Sequence, residues 1–247
     1  MSFLSGRTSL TSVQTSDLVD NSVTLAKLAG GTDGNLITYD TSGDPAAVAV
    51  GSSTHVLTSN GAGAAPTFQA ASKGITSITN TACTATTHID FTGFASGTYD
   101  NYEIWISNGQ PGNDGVVLEM ETSTDGGSSY DVGTSDYTWA GSANTEAGAV
   151  NDGADPDDSE IQLMSTQAVG NAANENVSAR ISIFMPETTE FTAFTWSTVS
   201  RQNDASLQTS TGGGERQSAA DVDGIRLHWS SGDWVEQGKI QFLGIKN

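Results

Sequence analysis

Residues 177–184 read Val-Ser-Ala-Arg-Ile-Ser-Ile-Phe, and this stretch decides the fold class. Apolar residues alternate with Ser178, Arg180 and Ser182. Because successive side chains of a β-strand point to opposite faces, the pattern predicts a strand with one face buried and the other facing water or a neighbour. Residues 102–107, Tyr-Glu-Ile-Trp-Ile-Ser, repeat the alternation. Both stretches indicate a β-sheet domain.

The region from residue 73 onward continues this pattern: strand-like runs of residues are separated by clusters of turn-forming residues. Two of the clusters, residues 125–128 and 231–233, are predicted hairpin turns. No helix signal is present, so we predict a β-sandwich over residues 73–247. The candidate strands are 75–82, 88–91, 102–107, 116–122, 137–139, 161–163, 177–185, 191–199, 224–229 and 238–245.

Composition agrees with an all-β chain and restricts the partners. The 247 residues include 28 Gly, which together with Asn and Asp supply turn conformations. Asp and Glu total 29 against 9 Lys and Arg, a formal charge of -20 at pH 7. We therefore expect neither nucleic acid nor an anionic membrane surface as a partner. No signal-peptide core and no apolar run of membrane-spanning length occur, so we expect no membrane insertion.

A degenerate repeat of about twenty residues occupies residues 30–72. Gly31 corresponds to Gly51, residues 36–38 (Leu-Ile-Thr) to residues 56–58 (Val-Leu-Thr), and Asp40 to Asn60. Each copy predicts a turn, a short strand, a second turn that ends at a proline, and another brief strand. Since each copy has two or three large apolar residues, a single chain cannot bury a core with them. The repeat therefore predicts several identical chains wrapped around one apolar axis.

Residues 1–29 are polar apart from a sparse apolar pattern. One or two helical turns capped by Ser16 or Ser22 would place its members on one side. A helix this short needs a partner surface, either sister chains or a larger particle. The apolar residues are Leu18, Val19, Val23, Leu25 and Leu28.

The order of these segments resembles the fibre proteins of tailed bacteriophages. Residues 34–40 and 56–68 resemble the shaft motif of such fibres, and residues 20–28 resemble the element that commonly precedes it. Residues 99–104, 123–130 and 238–245 are similar to the β-sandwich heads of the same class. The resemblance covers most of the chain.

The resemblance implies a homotrimeric fibre on the external surface of a virion, made in the host cytoplasm. Residues 1–29 would attach to other virion proteins of the tail, baseplate or capsid, and residues 30–72 would form an elongated, intertwined shaft. Residues 73–247 would form a jelly-roll-like β-sandwich head that binds a host-surface glycan. Two alternatives stay open: a capsid decoration fibre without receptor binding, and a polysaccharide depolymerase spike.

No motif in the sequence argues for catalysis, and we expect a protein that is not an enzyme. Cys83 is interpreted as a small buried residue in the first strand of a domain. Residues 212–216, Gly-Gly-Gly-Glu-Arg, lack the lysine of a phosphate-binding loop and are interpreted as a flexible surface loop. We assign no cofactor and no metal. The acid-rich residues 151–160 are interpreted as a solvated loop, with a calcium site as the alternative.

Aromatic residues are the candidates for glycan binding, because sugars stack on rings that combine an apolar body with a polar tip. Trp105, Trp196 and Trp229 lie within strand patterns and are interpreted as core. A second group lies near turns, and we predict that it forms the receptor site. Its members are Tyr137, Trp139 and Trp234.

Overall fold

The computed structural model describes residues 18–19, 30–71, 74–94, 97–165, 168–186 and 188–246, and their regular structure is entirely β. The prediction of an all-β chain is confirmed. The chain divides into two compact units, Met1–Ser72 and Lys73–Asn247. Across the described ranges, no helix has the length and apolar character needed to cross a membrane.

The first unit contains two antiparallel hairpins, one in each copy of the repeat. Strand β1 (Leu36–Tyr39) pairs with β2 (Pro45–Val48), and β3 (His55–Thr58) pairs with β4 (Thr67–Ala70). The predicted pattern of strand, turn and strand is confirmed in both copies.

The equivalent residues Asp40 and Asn60 hold the two hairpin turns. The Asp40 carboxylate accepts hydrogen bonds from the backbone N–H groups of Ser42 and Asp44, at 2.8 and 3.0 Å. The Asn60 side-chain amide donates to the carbonyl of Ala65 at 2.7 Å. Asp and Asn favour turns because their short side chains bond to nearby backbone groups. This shared chemistry explains why the repeat keeps the position polar.

The second unit contains two antiparallel sheets. The strands are β5 (Ile75–Ala82), β6 (His88–Phe91), β7 (Asn101–Gly109), β8 (Leu118–Ser123), β9 (Tyr137–Thr145), β10 (Val150–Asp158), β11 (Ile161–Gln162), β12 (Val177–Phe184), β13 (Ala193–Arg201), β14 (Leu207–Arg216), β15 (Gly224–Trp229) and β16 (Lys239–Ile245). The larger sheet has the order β10-β9-β14-β13-β12-β7-β16-β5, and the smaller has the order β11-β8-β15-β6.

The two sheets share one apolar core, so the second unit is sandwich-like. Phe91 of the smaller sheet lies 5.4 Å from Phe242 of the larger sheet, measured between ring centroids. Tyr102 of the larger sheet stacks on Phe242, with ring centroids 5.3 Å apart. Cys83 follows β5 and is buried, and burial raises the pKa of its thiol to about 11. A thiol with this pKa stays protonated at neutral pH, as expected of a packing residue.

Strand β14 corrects the interpretation of residues 212–216 as a flexible loop. Gly212 pairs with Trp196 on β13 and with Gly141 on β9, facing the core. A Cβ atom at Gly212 would overlap the Trp196 indole. The glycine is therefore required by the ring that crosses it, and a residue type that usually marks a loop lies inside a strand.

Strand β10 corrects the interpretation of residues 151–160 as a solvated loop. Val150–Asp158 pairs with β9 and forms one edge of the larger sheet. Its four carboxylates, Asp152, Asp155, Asp157 and Asp158, follow this edge. Charged residues on an edge strand oppose pairing with further strands. The aspartates of this segment therefore protect the edge of a sheet, although Asp in a sequence usually indicates a turn.

Several predicted boundaries are confirmed and two predicted hairpins are not. The predicted strands 75–82, 88–91 and 224–229 coincide with β5, β6 and β15. Residues 125–128 and 231–233 are turns, but each lies between strands of different sheets. Neither turn therefore closes a hairpin.

Candidate functional site

Trp105 is a large aromatic residue on the outer face of the larger sheet. On β7, the side chains of Tyr102, Ile104 and Ile106 enter the core, and Trp105 points to the opposite face. The residue is 37% exposed. The interpretation of Trp105 as core is wrong, whereas Trp196 and Trp229 are buried as predicted.

A buried carboxylate holds Trp105 in place. Glu103 lies two residues earlier on the same face and is 5% exposed. Its Oε2 accepts a hydrogen bond of 2.7 Å from the Trp105 indole N–H. Arg180 on β12 donates to both carboxylate oxygens, from Nε at 3.0 Å and from Nη2 at 2.5 Å. Paired hydrogen bonds between arginine and a carboxylate are strong and directional, so the three side chains form a rigid group.

The guanidinium of Arg180 lies next to the Trp105 ring and extends the same surface. Its Cζ lies 5.6 Å from the centroid of Trp105, within the range of a cation–π contact. Hydrogen bonding to Glu103 raises the pKa of Arg180, which keeps the group charged. The Arg180 side chain is 59% exposed, so its charge is accessible to a ligand.

A shallow depression of about 480 Å³ lies at this group. Small hydroxyl side chains and one exposed valine form the rest of its outer lining. We call this set the Trp105 surface: Glu103, Trp105, Ser107, Ser178, Arg180, Ser197 and Val199.

Strand register extends the polar surface across the sheet. Gln241, Trp105, Arg180 and Ser197 stand opposite one another on β16, β7, β12 and β13. The same row continues through Thr211, Ser142 and Asp152 to the β10 edge. Neighbouring strands lie about 4.8 Å apart, so the row presents polar groups at regular intervals beside one aromatic ring. Such a surface suits a long, hydroxyl-rich ligand.

The aromatic residues predicted to form the receptor site lie in the core. Tyr137 and Trp234 are 0% exposed and Trp139 is 6% exposed. The Tyr137 hydroxyl donates to the carbonyl of Asp131, and the Trp139 indole N–H donates to Asp158. These rings offer no face to a sugar, so the expectation that they lie at the surface is wrong. The alternation of residues 102–107 already placed Trp105 opposite the apolar residues, a signal that could have identified it.

The predicted attachment residues are described in part. Leu18 and Val19 are exposed, at 50% and 77%. Val23, Leu25 and Leu28 lie outside the described residues. The two visible side chains are available to a partner surface.

A second group of polar residues lies on the outer face of the smaller sheet. Glu119 and Glu121 alternate on β8, and His228 on β15 is paired directly with Glu119. Glu160 lies immediately before β11, which pairs with β8. We call these four residues the acid–His cluster. Ligand atoms of Glu119, Glu160 and His228 all lie within 4.8 Å of one another, a spacing that a metal ion could use.

Burial dominates the electrostatics of the acid–His cluster. Burial and the nearby charge of Glu160 raise the pKa of Glu119 to about 7. Burial likewise raises the pKa of Glu160. Burial lowers the pKa of His228, but contacts with Glu121 and the carbonyl of Trp229 outweigh it, so the net shift is upward. Carboxylates in this environment are poorly solvated as anions.

Comparisons with known proteins give no relative for this chain: no family model, no curated protein and no solved structure matches it.

Proposed function

We propose that this chain is a virion fibre protein of a tailed phage. In this proposal residues 1–29 attach to the particle, residues 30–72 form an intertwined homotrimeric shaft, and residues 73–247 form a jelly-roll-like head that binds a host-surface glycan. Its place is the external surface of the virion. Its work is attachment, with no reaction catalysed.

The observation that carries the proposal is the exposure of apolar residues on both faces of the repeat hairpins. Leu36 and Ile37 are neighbours on β1 and therefore point to opposite faces, yet they are 42% and 75% exposed. Val56 and Leu57 occupy the equivalent positions on β3 and are 49% and 48% exposed. An isolated two-stranded hairpin is marginal in water, so both hairpins need a covering surface. Further copies of the same repeat can supply this covering surface, because their apolar residues recur with the same period.

The assembly is tested by light scattering on the full-length protein. We expect the mass of three 25.5 kDa chains. The double variant Ile37→Ser with Leu57→Ser removes the equivalent apolar side chains and should give monomers. Thr41→Ser, in an exposed turn of the same hairpin, is the control and should stay trimeric. A monomeric wild-type protein would show that the repeat is a linker, and the shaft would be abandoned.

The Trp105 surface supports the adhesive part of the proposal. Glu103 fixes both the ring of Trp105 and the guanidinium of Arg180 before any ligand arrives, so little conformational entropy is lost on binding. In a trimer three such surfaces act together, and weak individual contacts give firm attachment through effective concentration.

Adhesion is tested by binding of the full-length protein to host cells and to purified envelope polysaccharide. Trp105→Ala should weaken binding by roughly 30-fold per site, as expected for a central tryptophan. Phe184→Ala removes another exposed aromatic residue of the same sheet and should bind like the wild type. A folded trimer that binds no host surface would identify a decoration fibre. Release of soluble sugar from the polysaccharide would identify a depolymerase.

A further inference from the structure

The acid–His cluster joins three separate segments of the second unit. Glu119 and His228 face each other across β8 and β15, with His228 Nδ1 3.8 Å from Glu119 Oε2. Glu160 reaches the same place from the turn before β11, with its Oε2 3.8 Å from His228 Nε2. An ion held here would therefore link β8, β15 and the start of β11.

His228 presents a nitrogen lone pair to the carboxylates. Its Nδ1 lies 3.1 Å from the carbonyl oxygen of Trp229, and a carbonyl can only accept, so Nδ1 carries the proton in this contact. The neutral ring then has an unprotonated Nε2. A backbone carbonyl on one ring nitrogen is the arrangement that orients a histidine ligand toward a metal.

The Nε2 atom of His228 is buried and has no satisfactory partner of its own. It lies 3.2 Å from Glu121 Oε1, an ion-pair contact when the ring is charged, but it forms no hydrogen bond with any described residue. Neutral Nε2 and a carboxylate oxygen would repel each other at this distance. Either a second proton on the ring or a cation between the two atoms removes the conflict.

Glu119 is a second buried polar group, and its one close charged contact within the cluster is the long ion pair with His228. Its side chain is 6% exposed and points into the cluster. Among the described residues no donor makes a hydrogen bond to its carboxylate, and the 3.8 Å contact with His228 is too long to be one. A buried carboxylate without a hydrogen bond is costly. A cation in the cluster would offset this cost.

The carboxylates of the cluster outnumber its one cationic group. Three carboxylates, Glu119, Glu121 and Glu160, face one imidazole, which supplies at most a single positive charge. Arg226 lies beside Glu121 in the sheet register, but its guanidinium makes two hydrogen bonds with Asp90, at 2.8 and 2.9 Å. A divalent ion would offset the excess negative charge.

We propose that Glu119, Glu160 and His228 bind one divalent zinc ion, with Glu121 beside it as a further oxygen ligand. Nitrogen plus carboxylate ligands suit zinc, whereas calcium takes oxygen ligands alone. Ligand atoms around a tetrahedral zinc ion are about 3.4 Å apart, so the present spacing closes by small side-chain rotations. The ion is structural, because it ties strands of the smaller sheet together, and the site is independent of the proposed fibre function.

Zinc binding is tested on the full-length protein after treatment with EDTA. Titration with ZnCl2 at pH 7.5 should show one ion per chain by calorimetry. At a free zinc concentration of about 100 times the Kd, the Tm should rise by roughly 5–10 °C, because the ion binds the folded state alone.

Two variants separate a built site from adventitious binding. Glu119→Gln removes a buried charge and His228→Gln removes the nitrogen ligand, so both should lose the rise in Tm with ZnCl2. Glu119→Gln keeps the side-chain shape and should fold even without the ion. His88→Gln is the matched control, because His88 is paired with His228 on the same face and is the more exposed of the two.

The outcomes decide the proposal. Retention of the zinc response in His88→Gln with its loss in the other two variants would establish the site. A wild-type protein without zinc binding, or an undiminished response in Glu119→Gln and His228→Gln, would overturn it. A rise in Tm with CaCl2 but none with ZnCl2 would overturn the assignment of the metal.

Discussion

The indole ring of Trp196 on β13 lies across the backbone of Gly212 on β14. The two residues are direct partners in the strand register, and a Cβ atom at residue 212 would overlap the ring. Trp196 also approaches Gly141 on the next strand, where a Cβ atom would lie 3.2 Å from Cζ2. A large ring is thus accommodated by two strands that have no side chain beneath it.

Replacement of Gly212 should therefore destabilise the second unit. Gly212→Ala forces Trp196 out of its packed position, and we expect a loss of about 2–3 kcal/mol in the free energy of unfolding, typical of overpacking. The control is Gly213→Ala, where the nearest atom to the new Cβ, the Phe194 carbonyl oxygen, is 3.3 Å away. Urea unfolding monitored by tryptophan fluorescence measures both. Equal stability of the two variants would contradict the role of the ring.

Removal of the Tyr137 hydroxyl should also be costly. That oxygen accepts a hydrogen bond of 2.7 Å from the backbone N–H of Thr122 and donates to the carbonyl of Asp131 at 3.0 Å. Tyr137→Phe leaves the buried N–H unpaired, so we expect a loss of about 1–3 kcal/mol in unfolding free energy. Tyr99→Phe, whose hydroxyl bonds to none of the described residues, should change it little. Thermal unfolding of both variants makes the comparison.

The buried ion pair between Arg216 and Asp131 provides a third test. Arg216 Nε lies 2.8 Å from Asp131 Oδ2, and the arginine side chain is 8% exposed. Asp131→Asn leaves the buried guanidinium without its counter-charge, at a cost of about 3 kcal/mol. Asp157→Asn makes the same charge change at an exposed edge position and should be near neutral. The prediction fails if chemical denaturation gives the two variants equal midpoints.

Stability should fall as the pH rises through the acid–His cluster. The pKa of Glu119 is about 7 in the folded chain against a usual 4.5, so the folded state binds its proton more tightly. The contribution is therefore complete below about pH 4.5 and lost by pH 7, a change of about 3 kcal/mol. Glu160 and His228 shift in the same direction, and Asp158 and Glu121 also face the cluster.

This pH dependence is measured by urea midpoints at pH 5 and pH 8 in EDTA. Glu119→Gln cannot lose the proton, so its stability should fall less over the same range. The difference between wild type and variant isolates the cluster from the general repulsion of an acidic chain. Identical pH profiles would show that Glu119 does not titrate as its burial indicates.

The sequence predicts strands well where one residue type alternates with another. The stretch 177–183 alternates apolar with polar residues and becomes most of β12, and residues 224–229 become β15. Strands β10 and β14 were missed because their composition is set by neighbours distant in the sequence. Gly212 is explained by Trp196, and the aspartates of β10 by the edge position of the strand.

The candidate sites show the same limit. Trp105 lies between Ile104 and Ile106 in an alternating stretch, so its side chain points to the opposite face of the strand. Its exposure could therefore have been predicted from the sequence. The acid–His cluster could not, because Glu119, Glu160 and His228 come together only through the pairing of three strands. Tyr137 and Trp139 lie near turns in the sequence, but their side chains point to the face of β9 that packs on the core.

The aspartates of β10 have a consequence for crowded molecules. A bare strand at the end of a sheet would allow the sheets of adjacent molecules to merge by backbone hydrogen bonding, whereas two β10 edges brought together repel each other. Copies held at high local density would therefore not join through two β10 edges. Many copies could then share a small area without their sheets merging at this edge.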